Sequence, residues 1–318
     1  MVSLMAMNRG FWIVLIYAQL SLAAIFGLDD RRSIDALPAE HQLKKLSDAT
    51  AIAVLSGLTQ ENDESVLIQV DPLEGYICPT EKFANDSSLG YACTGFLIAP
   101  DLLLTAGHCM VNTGEIRNET ENYCLAFSWL FGYSSQLLKN PSQIEASKQK
   151  LYSCKEIIYA VRDEKMPFRD YAIVKLDRPV QGVEPLALAE TNELREPLSM
   201  IGYPLGTPAK LSHSARILLN NPERESFVTS LDAFAGNSGS PVFDAQMKVV
   251  GILVAGTPSL NLVDDTQNSC KVYNKCDETG LECLLPDRDS SVFKEFQRIG
   301  SDVQRIDSIK EFLKNNYR

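Results

Sequence analysis

Short apolar runs separated by turn residues follow one another from about Ala51 to Val254. Several of them are rich in β-branched or aromatic side chains. Many short strands with turn signals between them are typical of a β-sandwich or a β-barrel. The pattern therefore predicts an all-β protein with few long helices. The runs interpreted as strands are Val66–Val70, Phe96–Ile98, Leu102–Ala106, Leu125–Leu130, Ile157–Val161, Ala172–Leu176, Leu198–Gly202, Ile217–Leu219, Phe227–Thr229 and Lys248–Ala255.

The C-terminal end is the exception, because apolar residues recur there at helical spacing. These residues are Val303, Ile306, Ile309, Phe312 and Leu313. Ser301 and Gln304 have the spacing of a capping box, in which each side chain satisfies the other residue's free N–H. We expect a helix at about 302–315 that packs its apolar stripe on the body of the protein.

Two polar stretches are expected to be loops. The first, residues 132–150, leaves room for a short helix around Ile144–Leu151. The second, residues 257–290, is acidic and contains three cysteines, so we expect a surface excursion held by disulfides.

The N-terminal region has the pattern of an export signal. Residues Phe11 to Gly27 carry no charge, and Arg9 precedes them. The 17 residues fall short of the roughly 20 that a transmembrane helix needs. A short apolar stretch that follows a basic residue and ends in small residues indicates a signal peptide over 1–24. Cleavage is expected at Ser21-Leu22-Ala23 or Leu22-Ala23-Ala24, and an uncleaved membrane anchor is the alternative.

The net charge of the chain argues against two classes of binding partner. The 318 residues include 30 Lys and Arg against 41 Asp and Glu, which gives a net charge of −11. This balance argues against a protein that binds nucleic acid through its phosphates, and against a polybasic membrane anchor. Once the signal is removed, no stable insertion into a membrane is expected. The oligomeric state is left open.

The eight cysteines fit an exported protein, which is secreted or periplasmic and matures in an oxidising space. Their even number allows up to four disulfides. None of them forms a C-x-x-C pair, so a structural zinc site is not expected. Cys270, Cys276 and Cys283 form a run of three, so at least one of them must pair outside the run or stay free. Neither a metal nor a cofactor is expected.

Of the three histidines, His41, His108 and His213, only His108 lies in a context that indicates chemistry. It follows an apolar run at a predicted strand end, in the sequence LTAGHC. Cys93 and Cys109 lie on either side of the strand–turn–strand, at a separation that a disulfide can staple. Such a bond would hold the histidine rigidly.

Asp170 stands at the start of the strand-like sequence DYAIVKL. A buried carboxylate there could accept the Nδ1–H of His108, fix its tautomer and stabilise the imidazolium that forms during a proton transfer. Taken alone, Asp170 is more simply interpreted as an ordinary residue at the start of a strand.

Ser238 lies in the sequence GNSGSPV, between two glycines that permit a sharp turn. A serine hydroxyl becomes a good nucleophile only when a base removes its proton. The N–H groups of Gly236 and Ser238 could point at one spot and form an oxyanion hole. A single G-x-S-G is a weak signal, because Gly–Ser turns are common.

Together, these three motifs resemble those of the chymotrypsin-like (trypsin-fold) serine peptidases, in the order His, Asp, Ser. The resemblance covers about residues 25–256 and implies two antiparallel six-stranded β-barrels with a C-terminal helix. The first barrel is expected at about 50–180 and the second at about 190–290. His108 and Asp170 would come from the first barrel and Ser238 from the second.

Within the family, the chain is most similar to the bacterial glutamyl-endopeptidase-like branch. The sequences IFGLDDR at 25–31 and IGYP at 201–204 carry this likeness. One position departs from the trypsin branch, which has an aspartate before the nucleophile to pair with a newly cut amino terminus. Here that residue is Asn237, so activation by such an ion pair is not expected.

The resemblance places the base of the substrate pocket at Asp232, with Val254 and Gly256 on its wall. A carboxylate there would favour cleavage after Lys or Arg; the alternative is an aspartate that only bonds local turn N–H groups. Glutamyl endopeptidases have a histidine where this chain has Leu253, so a preference for Glu is weakly supported. His213 could reach the pocket, although a surface histidine is the simpler interpretation.

The resulting hypothesis is an exported serine endopeptidase that acts on polypeptides through Ser238, His108 and Asp170. A catalytically silent binding module of the same fold and an esterase that uses the same triad are the alternatives. A latent enzyme held inactive by residues 25–50 is a further possibility.

Overall fold

Strands predominate in the computed structural model, which describes residues 24–90, 93–163, 165–166, 168–190, 193–255, 262–284 and 300–316. The helices are α1 (Gln42–Ser47), α2 (Tyr123–Ala126) and α3 (Ile306–Asn316). Up to residue 176 the strands are β1 (Ile25–Phe26), β2 (Arg32–Ser33), β3 (Thr50–Leu55), β4 (Thr59–Glu61), β5 (Ser65–Gln69), β6 (Asp71–Pro72), β7 (Ser87–Ser88), β8 (Thr94–Ala99), β9 (Leu102–Thr105), β10 (Gly114–Glu119), β11 (Phe127–Phe131), β12 (Leu138–Asn140), β13 (Gln143–Ser147), β14 (Leu151–Arg162) and β15 (Asp170–Leu176). The later strands are β16 (Leu198–Gly202), β17 (Lys210–Ala215), β18 (Ile217–Leu219), β19 (Ser226–Thr229), β20 (Pro241–Phe243), β21 (Val249–Ala255), β22 (Leu262–Asp265), β23 (Cys270–Tyr273), β24 (Lys275–Cys276) and β25 (Ser301–Arg305).

The first large sheet closes on itself. Strands β14, β11, β3, β8, β9 and β15 are neighbours in that order, and β14 also pairs with β15, so six strands form a closed antiparallel barrel. β10 pairs with the outside edge of β14. Closure leaves no unpaired edge among the six strands. Large apolar side chains pack on both faces of this sheet, including Phe96, Trp129 and Ile173.

The second large sheet has the order β18-β19-β25-β21-β20-β16-β17-β2 and forms half a barrel. Its core contains Leu198, Met200, Phe227, Leu253 and Val303. Most of its strands lie between residues 198 and 255, but β2 comes from the N-terminal side of the first barrel and β25 from residues 301–305. Residues 262–284 stay outside this sheet and form the β22–β23 hairpin and β24. The all-β, chymotrypsin-like fold class with a C-terminal helix is confirmed, with the first expected six-stranded barrel closed and the second formed as an eight-stranded half-barrel.

The predicted start of the C-terminal helix is wrong. Residues 301–305 form β25, and α3 begins only at Ile306. β25 pairs with β19 on one side and β21 on the other, so sheet pairing takes precedence over the helical spacing of Val303. The Ser301 hydroxyl donates to Leu231 O instead of capping a helix. Further along, Ile309 is buried, and the Phe312 ring lies 4.5 Å from the Tyr159 ring.

The short helix expected around Ile144–Leu151 is also wrong. Residues 143–147 form β13, which pairs with β5 over its whole length. Ile144 and Ala146 are buried, whereas the residues between and beside them are partly or fully exposed. This alternation belongs to a strand.

All eight cysteines are paired at disulfide distance. Cys93 pairs with Cys109 beside the His108 turn. Of the three cysteines in the run at 270–283, Cys270 pairs outside the run, and Cys276 and Cys283 pair with each other. The remaining pairs are Cys78–Cys270, Cys124–Cys154 and Cys276–Cys283.

Among the described helices, none has both the length and the apolar character that crossing a membrane requires. The expected signal peptide lies outside the described residues except for Ala24, which is buried beside Phe26 and Cys276.

The close packing around Gly95 leads to a prediction about the free energy of unfolding. A Cβ on Gly95 would lie 2.3 Å from Leu103 Cδ2 and 2.9 Å from Trp129 Cζ3, whereas a Cβ on Gly57 would meet nothing within 4 Å. Because overpacking costs about 1–3 kcal/mol, Gly95→Ala should lower the free energy of unfolding by that amount. Gly57→Ala is the matched control and should change it little. Urea unfolding followed by tryptophan fluorescence checks both, and equal midpoints for the two variants would contradict the prediction.

Candidate active site

His108 sits in a tight 3₁₀ turn, Gly107–Cys109, just after β9 ends. A Cβ on Gly107 would lie 1.8 Å from Val161 O and 2.8 Å from Tyr171 N. Only glycine therefore lets this turn lie against the backbones of β14 and β15. The Cys93–Cys109 disulfide ties the other side of the turn to the residue before β8. The imidazole is thereby fixed at the end of a strand.

Asp170 binds His108 at two points. Its Oδ1 accepts the backbone N–H of His108 at 2.8 Å, and its Oδ2 lies 2.8 Å from His108 Nδ1. The two side chains are 12% and 18% exposed. A carboxylate in this position accepts the Nδ1–H, which leaves Nε2 as the ring nitrogen that can take up a proton.

Gln304 holds the other side of Asp170, a contact that sequence analysis missed. The Gln304 Oε1 accepts the backbone N–H of Asp170 at 2.9 Å. Its Nε2 donates to Glu225 O at 2.8 Å and to Ser308 Oγ at 3.2 Å. Gln304 is fully buried on β25, so the second sheet fixes the strand end that carries Asp170. In the sequence, the spacing of Gln304 from Ser301 indicated a helix cap instead.

The Ser238 loop is docked onto the strand ends that lead to His108. The Thr94 N–H donates to Ser238 O at 2.8 Å, and the Thr94 hydroxyl donates to Gly236 O at 2.7 Å. Gly239 has φ +88°, and a Cβ there would lie 2.1 Å from Thr94 O and 2.9 Å from Ala106 N. Thr94 was also missed, although it follows Cys93 directly. These contacts place the Ser238 loop beside the His108 turn.

The two backbone donors expected around Ser238 have no acceptor among the described residues. Within the part of the chain that the structure describes, the N–H groups of Gly236 and Ser238 donate no hydrogen bond. Gly236 has φ +96°, and a Cβ there would lie 2.3 Å from Tyr203 O, so glycine is needed. Ser238 is 4% exposed, and no hydrogen bond is formed between its hydroxyl and the ring of His108.

Asp232 is buried against the N-terminal segment. It is 3% exposed, and its Oδ1 accepts the backbone N–H of Phe26 at 2.8 Å. Its own N–H donates to Ser212 Oγ at 3.0 Å, and its Oδ2 has no hydrogen-bond partner among the described residues. Burial raises the pKa of Asp232 to about 8, although the Phe26 N–H and the Arg31 charge act in the opposite direction.

The other expected pocket residues lie on or near β21. Leu253 and Val254 are buried, and Leu253 O accepts the Gly239 N–H at 2.7 Å, which links β21 to the Ser238 loop. Gly256 lies outside the described residues. His213 contacts the N-terminal segment, since its Nδ1 lies 3.5 Å from Asp30 Oδ2.

Two groups of side chains have the spacing of metal ligands but not the required donor chemistry. Within the described ranges two triplets have this spacing: His108 with Cys93 and Cys109, and Asp265 with Cys78 and Cys270. In both, the two sulfurs belong to one disulfide. Zinc binds thiolates, so neither triplet offers the ligands that its geometry suggests.

Comparison with known proteins gives a family. A family model described as the trypsin-like peptidase domain matches residues 93–252, which include His108, Asp170 and Ser238. An extracellular metalloprotease of Bacillus subtilis (strain 168) is 26% identical over 200 residues, which cover 57% of this chain. The match covers 56% of that protein, so the chain spans little more than half the length of this curated relative.

Two solved structures are similar at lower identity. A Glu endopeptidase in complex with MPD has a TM-score of 0.49 and 16% identity, over 92% of this chain and 98% of that chain. The Rv3671c protease of M. tuberculosis H37Rv, in an inactive form, has a TM-score of 0.41 and 14% identity, over 87% of this chain and 92% of that chain.

The buried carboxyl of Asp232 generates a pH prediction. Its pKa is raised from 3.8 to about 8 by burial, so between these values the folded protein keeps a proton that the unfolded chain releases. Folding stability should therefore fall as pH rises from about 4 to about 8. Asp232→Asn keeps an acceptor for the Phe26 N–H and removes this titration, so its stability should depend less on pH. Urea midpoints measured for both proteins across this range check this; parallel curves would contradict it.

Proposed function

Because this chain belongs to the trypsin-like peptidase family, we propose that it is an exported serine endopeptidase that cleaves peptide bonds with Ser238, His108 and Asp170. The observation that carries the proposal is the two-point contact of Asp170 with His108, both at 2.8 Å, beside the docked Ser238 loop.

Asp170 orients the base. Its Oδ2 holds Nδ1–H, so the proton taken from the nucleophile goes to Nε2, and the resulting imidazolium lies against a carboxylate. The bond from the His108 backbone N–H to Oδ1 fixes the carboxyl group itself. Rotation of either group would break a charge-assisted hydrogen bond, and such bonds are roughly twice as strong as neutral ones.

Ser238 attacks the carbonyl carbon of the peptide bond, and His108 takes its proton. The free protein lacks the Ser238–His108 hydrogen bond, and such bonds often tighten only when substrate is present. His108 then gives the proton to the leaving amine, which leaves an acyl-enzyme on Ser238. Water, activated by His108, hydrolyses this ester and restores the serine.

The N–H groups of Gly236 and Ser238 stabilise the oxyanion that develops on the substrate. Both lack an acceptor in the described structure, so neither has to break a protein hydrogen bond before binding the oxyanion. The loss of one such donor typically costs about 2.7–4 kcal/mol of transition-state stabilisation. Thr94 helps to hold both residues in place through the carbonyls on the other side of the loop.

Export is supported by the N-terminal apolar segment and by the four cysteine pairs. Disulfides persist in oxidising spaces and are rare in the cytosol. One of these pairs, Cys78–Cys270, joins segments 192 residues apart. A secreted or periplasmic enzyme fits this arrangement.

The substrate preference is proposed as Lys or Arg before the cleaved bond. Asp232 supports this through a buried Oδ2 that has no hydrogen-bond partner among the described residues and would pair with a substrate cation. The Phe26 N–H already occupies Oδ1, which supports the alternative role of an anchor for the N-terminal segment.

Removal of the nucleophile is the direct test of the mechanism. Ser238→Ala should lower kcat on a peptide substrate by roughly 10⁶-fold, because the covalent route is lost. It should also abolish labelling by a fluorophosphonate. Ser240→Ala, two residues along the same loop, is the matched control and should stay close to wild type.

Two further measurements complete this test: activity in the presence of a chelator, and turnover of ester and peptide substrates. A chelator such as EDTA should leave the activity unchanged, whereas a metal-dependent peptidase would lose it. Activity retained in Ser238→Ala would overturn the serine mechanism. Turnover of ester but not peptide substrates by the wild type would identify an esterase, and no turnover of either would identify a binding module.

Cleavage-site profiling on a peptide library tests the preference. Wild type should cleave after Lys and Arg, and Asp232→Asn should lose about 10-fold or more of this preference, because an amide cannot form the ion pair. The variant's remaining activity on apolar sites serves as the internal control. An identical profile for both proteins would show that Asp232 acts only as an anchor.

A further inference from the structure

The N-terminal segment, residues 24–33, runs along the second half of the molecule, and we call it the N-terminal strap. β1 pairs in parallel with β24, and β2 pairs with β17 in the second sheet. The strap also contacts Asp232 through Phe26 and His213 through Asp30. It is therefore attached at several points to the sheet that carries Ser238.

Arg31 is the most deeply buried charged group of the strap. Its side chain is 2% exposed. Asp29 holds its guanidinium with two bonds, from Nε to Oδ1 at 2.9 Å and from a terminal nitrogen to Oδ2 at 2.7 Å. Burial alone would lower the pKa of Arg31, but the pairing with Asp29 raises it, so the group stays charged. A bidentate fork of this kind fixes the plane of the guanidinium.

Three aromatic rings surround this plane. The guanidinium carbon lies 4.3 Å from the ring centre of Tyr273, 4.6 Å from that of Phe234 and 5.4 Å from that of Phe83. The Phe234 and Tyr273 rings also touch each other, with centres 4.8 Å apart. A cation over an aromatic face is attracted by the ring, and the attraction is stronger when the cation is desolvated, as Arg31 is here. Arg31 thus fixes the position of the Phe234 ring.

Phe234 leads directly into the loop of the nucleophile. Its carbonyl accepts the N–H of Asn237 at 3.0 Å, which closes the turn before Ser238. The next carbonyl, that of Ala235, accepts the N–H of Leu205 at 2.5 Å. A shift of the Phe234 ring therefore moves the backbone that presents the N–H groups of Gly236 and Ser238.

We propose that Arg31, clamped by Asp29 and stacked on Phe234 and Tyr273, is a positioning residue for the oxyanion-binding loop. The proposal rests on the serine-peptidase function above and adds a residue that lies outside the three motifs. Arg31 acts through Phe234 and does not touch the substrate. The transition state, in which the oxyanion charge develops, is more sensitive to a displaced donor than is substrate binding. Loss of Arg31 should therefore change kcat more than KM.

The test compares Arg31→Met and Arg31→Lys on a peptide substrate. Arg31→Met should lower kcat about 10- to 100-fold, less than the 10²–10³ that follows complete loss of an oxyanion donor, with KM within about threefold. Arg31→Lys keeps the charge but loses the planar fork, so it should recover only part of kcat. The acid limb of the pH profile of kcat/KM should keep its midpoint, because no hydrogen bond or ion pair among the described residues joins the strap to His108 or Asp170.

Arg178→Met is the matched control. Arg178 also stacks on a ring, at 4.1 Å from the centre of Tyr152, and bonds the carbonyls of Lys148 and Leu151 in the first half of the molecule. It should lower the melting temperature without changing kcat more than about twofold. Should Arg31→Met fail to fold, Phe234→Leu replaces it, since this variant keeps the Arg31–Asp29 fork and removes the ring.

Three outcomes would overturn the inference: a kcat for Arg31→Met, or for Phe234→Leu in its place, within twofold of wild type; a rise in KM alone; or an equal loss of kcat in Arg178→Met. Failure of the proposed function gives a different result, namely activity that survives in Ser238→Ala. An inactive Ser238→Ala with fully active Arg31 variants would reject only the role of Arg31.

Discussion

The carboxylate of Asp170 is the point on which the site depends, since both of its oxygens are bonded to a single residue. One bond is to the backbone of His108 and the other to its ring. The backbone bond sets the position of the carboxyl group relative to the turn, and the ring bond then sets the orientation of the imidazole. Gly107 makes the geometry accessible, because any side chain there would collide with Val161 O. Gln304 adds a third constraint from the opposite sheet.

The contacts between the two sheets at the site join backbone carbonyls of the Ser238 loop to Thr94. Thr94 binds the carbonyls of Gly236 and Ser238, and Gly239 packs on the same strand ends. The bond from the Thr94 N–H to Ser238 O tolerates little displacement, because neither of its partners has a side-chain torsion to adjust. The relative position of His108 and Ser238, the proposed base and nucleophile, is thus set by the packing of these strand ends and by the contact of Gln304 with Asp170.

The sequence predicted the strand-rich fold well, because short apolar runs with turn signals between them have few other interpretations. It failed where the pattern was ambiguous. Val303 fits a helix stripe and a strand equally well, and only the facing edges of β19 and β21 decide in favour of the strand. The candidate site could be predicted from local motifs around His108, Asp170 and Ser238. The contacts that support it could not, since Phe26 and Asp232 are 206 residues apart.

Asp232 accepts the Phe26 N–H of the strap and is the proposed base of the substrate pocket, so its protonation would affect both. A neutral carboxyl accepts the Phe26 N–H and costs little to bury, which accounts for a pKa raised to about 8. A cation at Oδ2 would stabilise the ionised form and lower this pKa, so binding of a Lys or Arg side chain would release a proton. By linkage, the affinity for such a substrate would rise with pH until the carboxyl is already ionised in the free enzyme. A pocket for apolar side chains would show no such coupling, because nothing in it exchanges a proton on binding.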